Sequence, residues 1–84
     1  MTYRIEYTTA AVRQVERLPG VIRVPVLARI EALASAPRPV GAIKLAGSDA
    51  YRIRVGDYRI VYAIADELLV VVIVKVANRR DVYR

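Results

Sequence analysis

The residues from 51 to 62 constrain the fold more than any other part of the chain, because they read as two strands joined by a tight turn. In the first half, tyrosine, isoleucine and valine alternate with Arg52 and Arg54, which is the period-2 pattern of a strand buried on one face. Gly56-Asp57 follows, and glycine in the first turn position favours a two-residue type II′ hairpin. The return strand repeats the alternation, with Arg59 on the polar side. The stretch therefore predicts an antiparallel pair with three arginines on one face.

A strand and a helix are predicted at the start of the chain. Tyr3–Tyr7 alternates between apolar and charged residues and predicts a first strand. Thr8 or Thr9 can cap the helix that follows, because a hydroxyl oxygen accepts from the free N–H groups of a first turn. An apolar stripe at helical spacing then runs to Pro19-Gly20, which predicts the end of this helix.

A second helix is predicted from about Val21–Val24 to Ala36. Pro25 is expected in its first turn, where the missing N–H is tolerated. After it, Val40–Leu45 reads either as a loop or as a short edge strand. Leu68–Val76 is a nearly unbroken run of Leu, Val and Ile, which is typical of a strand covered on both faces in the middle of a sheet.

This order of elements predicts one α+β domain over residues 1–84. We expect a small, mainly antiparallel sheet of about four strands, with the two N-terminal helices packed on one face. The arginines of the hairpin then occupy the other face.

Several kinds of chemistry are excluded by composition. The chain has no Cys and no His, so disulfides, thiol catalysis and a histidine base are all absent. The scattered acidic residues predict no metal site, and we expect no cofactor. The longest apolar run is too short to cross a bilayer and no signal-peptide pattern follows Met1, so we expect a cytoplasmic protein without a membrane partner.

The charge of the chain points to an anionic partner. Its formal net charge is +6, and arginine suits phosphate because its planar fork donates two parallel hydrogen bonds. A basic tail with Arg79 and Arg80 follows the last strand and can reach the hairpin. Tyr83 can stack on an exposed base or dock on the domain. The alternative is that the strand arginines form only a solvated sheet face.

Three segments together resemble the RelE/ParE superfamily of toxins from bacterial toxin–antitoxin modules. They are Lys44-Leu45-x-Gly47, the stretch from 51 to 62, and the ending Arg79–Arg84. The opening strand and the helices fit as well, so the resemblance covers the whole chain and implies the RelE-like fold. It is closest to the RelE branch, which consists of ribosome-dependent endoribonucleases that cut mRNA.

The resemblance implies a set of site residues by position. The catalytic positions are filled by Arg52, Arg54, Arg59, Arg79 and Tyr83, and further RNA contacts are expected from Lys44, Arg80 and Arg84. The two strand arginines would orient the phosphate and the nucleophile, and Arg59 would bind the phosphate. Arg79 would stabilise the transition state, and Tyr83 would stack on the base and act in proton transfer.

The chain departs from the family pattern at the general base. Some RelE enzymes have lysine where Arg52 and Arg54 stand, and many relatives have His or Lys at the position of Asn78. Arginine, with a pKa of about 12.5–13.8, does not accept a proton at neutral pH. Tyr83 is then the remaining candidate, provided that neighbouring positive charge lowers its pKa.

The resemblance also implies partners and leaves two alternatives. It implies a cognate acidic antitoxin, RelB-like or similar, together with the ribosome and mRNA, and operator DNA only through the antitoxin. We expect the antitoxin to cover or displace the Arg79–Arg84 tail. The alternatives are a ParE-like inhibitor of DNA gyrase without nuclease activity, and an inactive toxin that serves its antitoxin in autoregulation.

Overall fold

The computed structural model describes residues 2–79. It consists of a five-stranded sheet with two helices packed on one face. The elements are β1 Arg4–Tyr7, α1 Thr9–Glu16, α2 Gly20–Ala32, β2 Ile43–Lys44, β3 Ala50–Val55, β4 Tyr58–Ala65 and β5 Val70–Asn78. The strand order is β1-β5-β4-β3-β2. The predicted α+β class is confirmed, with one more strand than expected because the ambiguous segment after α2 contributes the two-residue edge strand β2.

The sheet is mixed, since β1 and β5 run parallel while the other pairs are antiparallel. Arg4 lies opposite Val70 and Tyr7 opposite Ile73. β5 therefore lies between β1 and β4, inside the sheet as predicted. Only β1 and β2 form the edges, and both are short, which limits edge-to-edge pairing with other chains.

Helix α1 forms as its sequence predicts. The Thr8 hydroxyl oxygen accepts from the Ala11 N–H at 3.1 Å, as a helix cap. Ala11 and Val15 of the helix, and Leu18 just after its end, are buried in the core. The same Thr8 hydroxyl donates to the Val74 carbonyl at 3.0 Å, so the cap also joins the helix to β5.

Helix α2 differs from its prediction at both ends. It begins at Gly20 with Pro19 as its cap and ends at Ala32. Pro25 consequently lies in the helix interior, so its predicted position in the first turn is wrong. The helix tolerates it because the carbonyl that Pro25 leaves without a donor belongs to Val21, which is 82% exposed and accessible to water.

Arg23 of α2 fastens the end of α1. Its Nε donates to the Val15 carbonyl at 3.2 Å, and its Nη2 donates to the carbonyls of Glu16 and Leu18 at 3.1 and 2.7 Å. The last carbonyls of a helix have no partner within the helix and carry its negative dipole end. One guanidinium therefore satisfies three acceptors at the junction of the two helices.

Replacing Arg23 should weaken this junction. We expect Arg23→Ala to lower the free energy of unfolding by about 2–3 kcal/mol, because hydrogen bonds to a charged group contribute more than neutral ones. Arg23→Lys should restore only part of this, since an ammonium lacks the planar fork. Urea unfolding at pH 7 measures both. Arg29→Ala, an exposed arginine on the same helix, is the matched control, and an equal loss in that variant would contradict the role of Arg23.

The core lies between the helices and one face of the sheet. The largest fully buried side chains are Tyr62, Ile30, Leu33, Ile53, Ile60, Ile73, Val26, Val71 and Val76. β5 is less covered than predicted, because Val74 is 39% exposed. Val74 is an extra residue at a bulge between the pairs Tyr62–Ile73 and Val61–Lys75. Neither helix of the described region has the length and apolar character needed to span a membrane.

Candidate functional site

The β3–β4 hairpin has the predicted turn. Val55 pairs with Tyr58, which leaves a two-residue loop, and Gly56 has a φ of +58°. Among the described residues other than glycine, only Leu69 has a positive φ, so Asp57 has a negative one. A positive φ at the first loop position alone is the type II′ pattern. The turn therefore fixes the register of both strands.

This register brings the strand arginines to one face of the sheet. Arg54 lies directly opposite Arg59, and side chains so paired have Cβ atoms roughly 4.5–5.5 Å apart. Arg52 lies two residues earlier on the same face. The intervening Ile53 and Ile60 are buried on the helix side. The arginines thus share the face that the helices do not cover, and the repulsion between Arg54 and Arg59 favours an anion there.

The three arginines differ in exposure. Arg54 is exposed and Arg52 is half-buried, whereas Arg59 is only 6% exposed. The alternative interpretation of a merely solvated face does not hold for Arg59. A guanidinium in such a position is held in place, and its electrostatic interactions are less screened than those of a surface charge.

Arg52 has an unused hydrogen-bond donor. Its Nη1 atom is buried and has no hydrogen-bond partner in residues 2–79. A buried donor without an acceptor costs roughly 1–3 kcal/mol, and in native proteins an ordered water, an ion or a ligand usually completes the bond. An anion with oxygen acceptors, such as a phosphate group, suits this position.

Arg79 lies close to the hairpin turn. Its backbone N–H donates to the Asp57 carbonyl at 2.6 Å, and Ala77, two residues earlier, lies directly opposite Arg59. The chain after β5 therefore starts at the hairpin end of the sheet, as predicted. Arg80, Tyr83 and Arg84 lie outside the described residues, and their predicted roles stay predictions.

Lys44 lies apart from the arginines, and its predicted RNA contact stays a prediction. It lies opposite Tyr51, whereas its neighbour Ile43 lies opposite Arg52. Because paired residues share a face, Lys44 belongs to the helix side of the sheet and is not brought together with the arginines. The two-residue strand β2 has no alternation from which this orientation could have been read.

Three tyrosines of the β3–β4 hairpin belong to the core side of the sheet, since Tyr62 is fully buried and Tyr51 and Tyr58 pack against the core. Tyr62 stacks on Tyr51 with ring centroids 6.0 Å apart. Its hydroxyl donates to the Pro37 carbonyl at 2.7 Å. Burial raises the pKa of Tyr62 to about 12.

A second polar cluster lies at the end of the sheet opposite to the β3–β4 turn. The Arg38 guanidinium donates to both oxygens of Asp66, at 2.8 and 3.3 Å, and Nε donates to the Tyr51 hydroxyl at 3.2 Å. The Tyr3 hydroxyl donates to Asp66 Oδ1 at 2.6 Å. Together they tie the segment after α2 to the β4–β5 turn. The sequence signal that was missed is an arginine held between two prolines, since the rigid backbone on either side fixes its position.

These bonds determine the charge state of Asp66. The hydrogen bond from Arg38, with a smaller contribution from Tyr3, holds the pKa of the Asp66 carboxyl below its usual value. The hydrogen bond to Asp66 in turn raises the pKa of the Tyr3 phenol.

The stability of the protein should therefore depend on Asp66 at acid pH. A lowered folded pKa contributes stability above the ordinary value of about 3.9, and this contribution is lost as the pH falls through the folded pKa. We expect Asp66→Asn to melt at a lower temperature than wild type at pH 7, and the difference to vanish towards pH ~2. Thermal melts across this range measure it. Glu67→Gln, in the same turn, is the control, and a constant difference at every pH would contradict the prediction.

No three potential metal-ligating carboxylates come together in the described part of the chain. The cationic face of the β3–β4 hairpin therefore remains the site with the clearest chemistry. It can bind and polarise an anion, and its arginines cannot serve as bases.

Comparison with known proteins shows to which family the chain belongs. A family model described as the ParE toxin of type II toxin–antitoxin systems, parDE, matches residues 5–83. The chain is 38% identical over 88 residues to Toxin RelG of Mycobacterium tuberculosis, an alignment that covers 100% of this chain and 99% of the relative.

Solved structures of RelE toxins have the same fold. RelE in the archaeal RelE–RelB complex from Pyrococcus horikoshii matches with a TM-score of 0.84 and 33% identity, over 94% of this chain and 97% of that one. The RelBE2 toxin–antitoxin complex from Mycobacterium tuberculosis matches with a TM-score of 0.80 and 32% identity, over 94% and 93%. The chain therefore belongs to the ParE toxin family of type II toxin–antitoxin systems, within the RelE/ParE superfamily.

Proposed function

We propose that this toxin is an endoribonuclease that cleaves mRNA on the ribosome, in the cytoplasm, and so inhibits translation. The observation that carries the proposal is the unused, buried Nη1 donor of Arg52 beside the Arg54–Arg59 pair. A phosphodiester supplies an oxygen acceptor to the Nη1 donor of Arg52 and negative charge to the Arg54–Arg59 pair. The resemblance to RelE enzymes, which fill these positions with basic residues, supports the same conclusion.

The reaction follows from the chemistry of RNA. The ribose 2′-oxygen attacks the adjacent phosphorus, the new O2′–P bond forms, and the bond from phosphorus to the 5′-oxygen of the next nucleotide breaks. The products are a 2′,3′-cyclic phosphate and a free 5′-hydroxyl. Arg52 and Arg54 orient the phosphate and the nucleophile, and the buried Arg59 binds a phosphate oxygen. Their contribution is electrostatic, because negative charge builds on these oxygens in the transition state.

Proton transfer needs a group other than the strand arginines. Tyr83 is the proposed general base, and guanidinium groups close to it in the sequence, such as Arg80 and Arg84, would favour its ionised form. Arg79, anchored at the hairpin turn, stabilises the charge on the leaving oxygen. A tyrosine base is weak at neutral pH, so free RNA should be cut slowly. The ribosome contributes by holding the message in the reactive geometry.

The antitoxin is the second proposed partner. The arginine face also carries an exposed apolar side chain, Ile43, and the chain is strongly basic. An acidic segment with apolar residues suits such a surface and can fold as it wraps around it. RelE–RelB complexes among the similar structures support an antitoxin of this kind, which would cover the arginines and link the toxin to operator DNA.

The test is cleavage of a defined message on purified ribosomes. We expect cuts only when ribosomes are present, and fragments that end in a 2′,3′-cyclic phosphate and a 5′-hydroxyl. Prior addition of the antitoxin should prevent cleavage. An intact message in the presence of folded toxin would overturn the proposal.

The ParE family match favours one alternative, inhibition of DNA gyrase without nuclease activity. In that case the wild type would inhibit DNA supercoiling by gyrase, and Arg52→Gln would inhibit it equally well. The inactive-toxin alternative predicts normal growth when the protein is expressed without its antitoxin.

A further inference from the structure

A pocket lies beside the last part of β5. β1 ends at Tyr7, opposite Ile73, whereas β5 continues to Asn78. On the edge that β1 leaves free, the final residues of β5 therefore have α1 beside them, while β4 pairs with their other edge. The pocket there, which we call the α1–β5 pocket, has a volume of about 280 Å³.

The side chains that line the α1–β5 pocket carry positive charge and no negative charge. Gln14 contributes from α1, Arg17 from the C-terminal cap of that helix, Tyr58 from β4 and Lys75 from β5. Within residues 2–79 the ion pairs join Arg4 to Glu6 and Arg38 to Asp66. Neither Arg17 nor Lys75 therefore has a counter-ion in the described region, and the pocket is a place where an anion is favoured.

Gln14 is held with its donor group available. Its Oε1 accepts from the backbone N–H of Val76 at 2.7 Å, which fixes the orientation of the carboxamide. Because β5 engages the oxygen, the Nε2 group remains as the donor that Gln14 offers to the pocket, and it has no acceptor among the described residues. A ligand with oxygen acceptors can receive hydrogen bonds from this group as well as from Arg17 and Lys75.

The α1–β5 pocket lies next to the arginine face. Ala77, which contributes to the lining, is directly opposite Arg59 on the neighbouring strand. Adjacent strands lie about 4.7–4.9 Å apart, so the step from the Arg54–Arg59 pair to the pocket is about 5–10 Å. Lys75 pairs with Val61, which also pairs with Arg52, so Lys75 lies on the arginine face, whereas Gln14 and Tyr58 line the pocket from the helix side. A single strand that places one phosphate on the Arg54–Arg59 pair reaches the pocket by passing over the edge of β5 that β1 leaves free.

We propose that the α1–β5 pocket is a second phosphate subsite, which binds the backbone of the nucleotide next to the one that is cleaved. Arg17 and Lys75 contact phosphate oxygens, the Gln14 amide donates to a phosphate or ribose oxygen, and Tyr58 forms the wall. This proposal rests on the proposed function in one respect, namely that the ligand is RNA. RNA is favoured over an acidic peptide because the strand held at the arginines passes the pocket.

The experiment measures binding without cleavage. The probe is a single-stranded RNA of about eight nucleotides with 2′-O-methyl groups, which cannot be cut, titrated at several salt concentrations. The Arg17→Gln/Lys75→Gln double variant should bind about tenfold more weakly, and the slope of log K against log salt should fall by about 1.4, or ~0.7 for each lost phosphate contact. The Arg13→Gln/Arg29→Gln variant is the control, with the same charge change at exposed helix positions. It should retain the slope.

A second measurement reports on the pocket directly. In ¹⁵N spectra the side-chain amide of Gln14 should shift when the RNA is added to wild type and should stay in place in the double variant. The two single variants, Arg17→Gln and Lys75→Gln, should each show half of the slope change, and they serve if the double variant does not fold.

The outcomes separate this inference from the proposed function. A protein that binds the RNA with the predicted slopes but never cuts message on ribosomes would retain the subsite and lose the nuclease. A pocket variant indistinguishable from the control, with Arg52→Gln still weakening RNA binding, would overturn the subsite alone. A Gln14 shift produced by polyglutamate and not by RNA would also overturn it.

Discussion

Arg59→Gln should lower the single-turnover rate of mRNA cleavage on ribosomes by about 100-fold or more, the usual effect of removing one preorganised donor from a charged transition state. Arg59 is the arginine of the β3–β4 hairpin that is held almost out of solvent, so its guanidinium needs little reorganisation when charge develops. Arg59→Lys retains the charge without the planar fork and should recover only part of the rate.

The controls for this prediction address charge and folding. Arg4→Gln removes the same charge from another strand of the sheet, where Arg4 pairs with Glu6, and should leave cleavage unchanged. Because Arg59 is buried, its replacement can also destabilise the fold, and Arg52→Gln provides a second test. It removes a buried donor that lacks an acceptor in the described residues, so it should reduce cleavage while leaving the thermal midpoint at or above that of wild type. Full activity in both folded variants would show that the chemistry lies elsewhere.

Tyr62→Ala should lower the free energy of unfolding by about 3–5 kcal/mol, as is usual when a large buried aromatic is truncated. The substitution removes the stacking on Tyr51 and the hydrogen bond to Pro37. Small domains have about 5–15 kcal/mol in total, so much of this variant should be unfolded at 37 °C. Tyr62→Phe loses the hydrogen bond alone and should cost about 1–2 kcal/mol. Urea unfolding of the pair separates packing from hydrogen bonding, and equal losses would contradict this division.

The same pair should differ at alkaline pH. Burial raises the pKa of Tyr62 to about 12, above the ordinary value of about 10. A raised folded pKa contributes stability that is present below the ordinary pKa and is lost as the pH rises through the folded value. Wild type should therefore lose stability more steeply than Tyr62→Phe between pH 10 and 12. Parallel curves over this interval would show that Tyr62 ionises equally in the folded and unfolded chains.

The sequence was sufficient where local pattern and turn geometry act together. Period-2 alternation and a two-residue turn determine which side chains share a face, so the common face of Arg52, Arg54 and Arg59 could be predicted. The two residues of β2 show no such alternation, so the face on which Lys44 lies could not be predicted. The prediction for Pro25 was wrong for another reason, because tertiary packing of α2 outweighs the local preference of proline for the first turn of a helix.

Contacts between distant segments left no local signal. The Arg38–Asp66 pair spans 28 residues, and the parallel pairing of β1 with β5 joins the two ends of the described chain. The burial of Arg59 and the unused donor of Arg52 depend on the assembled sheet in the same way. The α1–β5 pocket exists because β1 is shorter than β5, a difference that periodicity alone does not define.

The position of β5 between β1 and β4 has a consequence for biogenesis. In a nascent chain that has emerged only as far as residue 69, β1 has no strand to pair with, and β4 pairs with β3 alone. Until the last strand arrives, the helices have no continuous surface on which to pack, and such late, long-range pairing makes folding slow. A premature stop codon or a proteolytic cut before residue 70 should therefore yield no partly active product. The chain should become active in a single step, late in its synthesis.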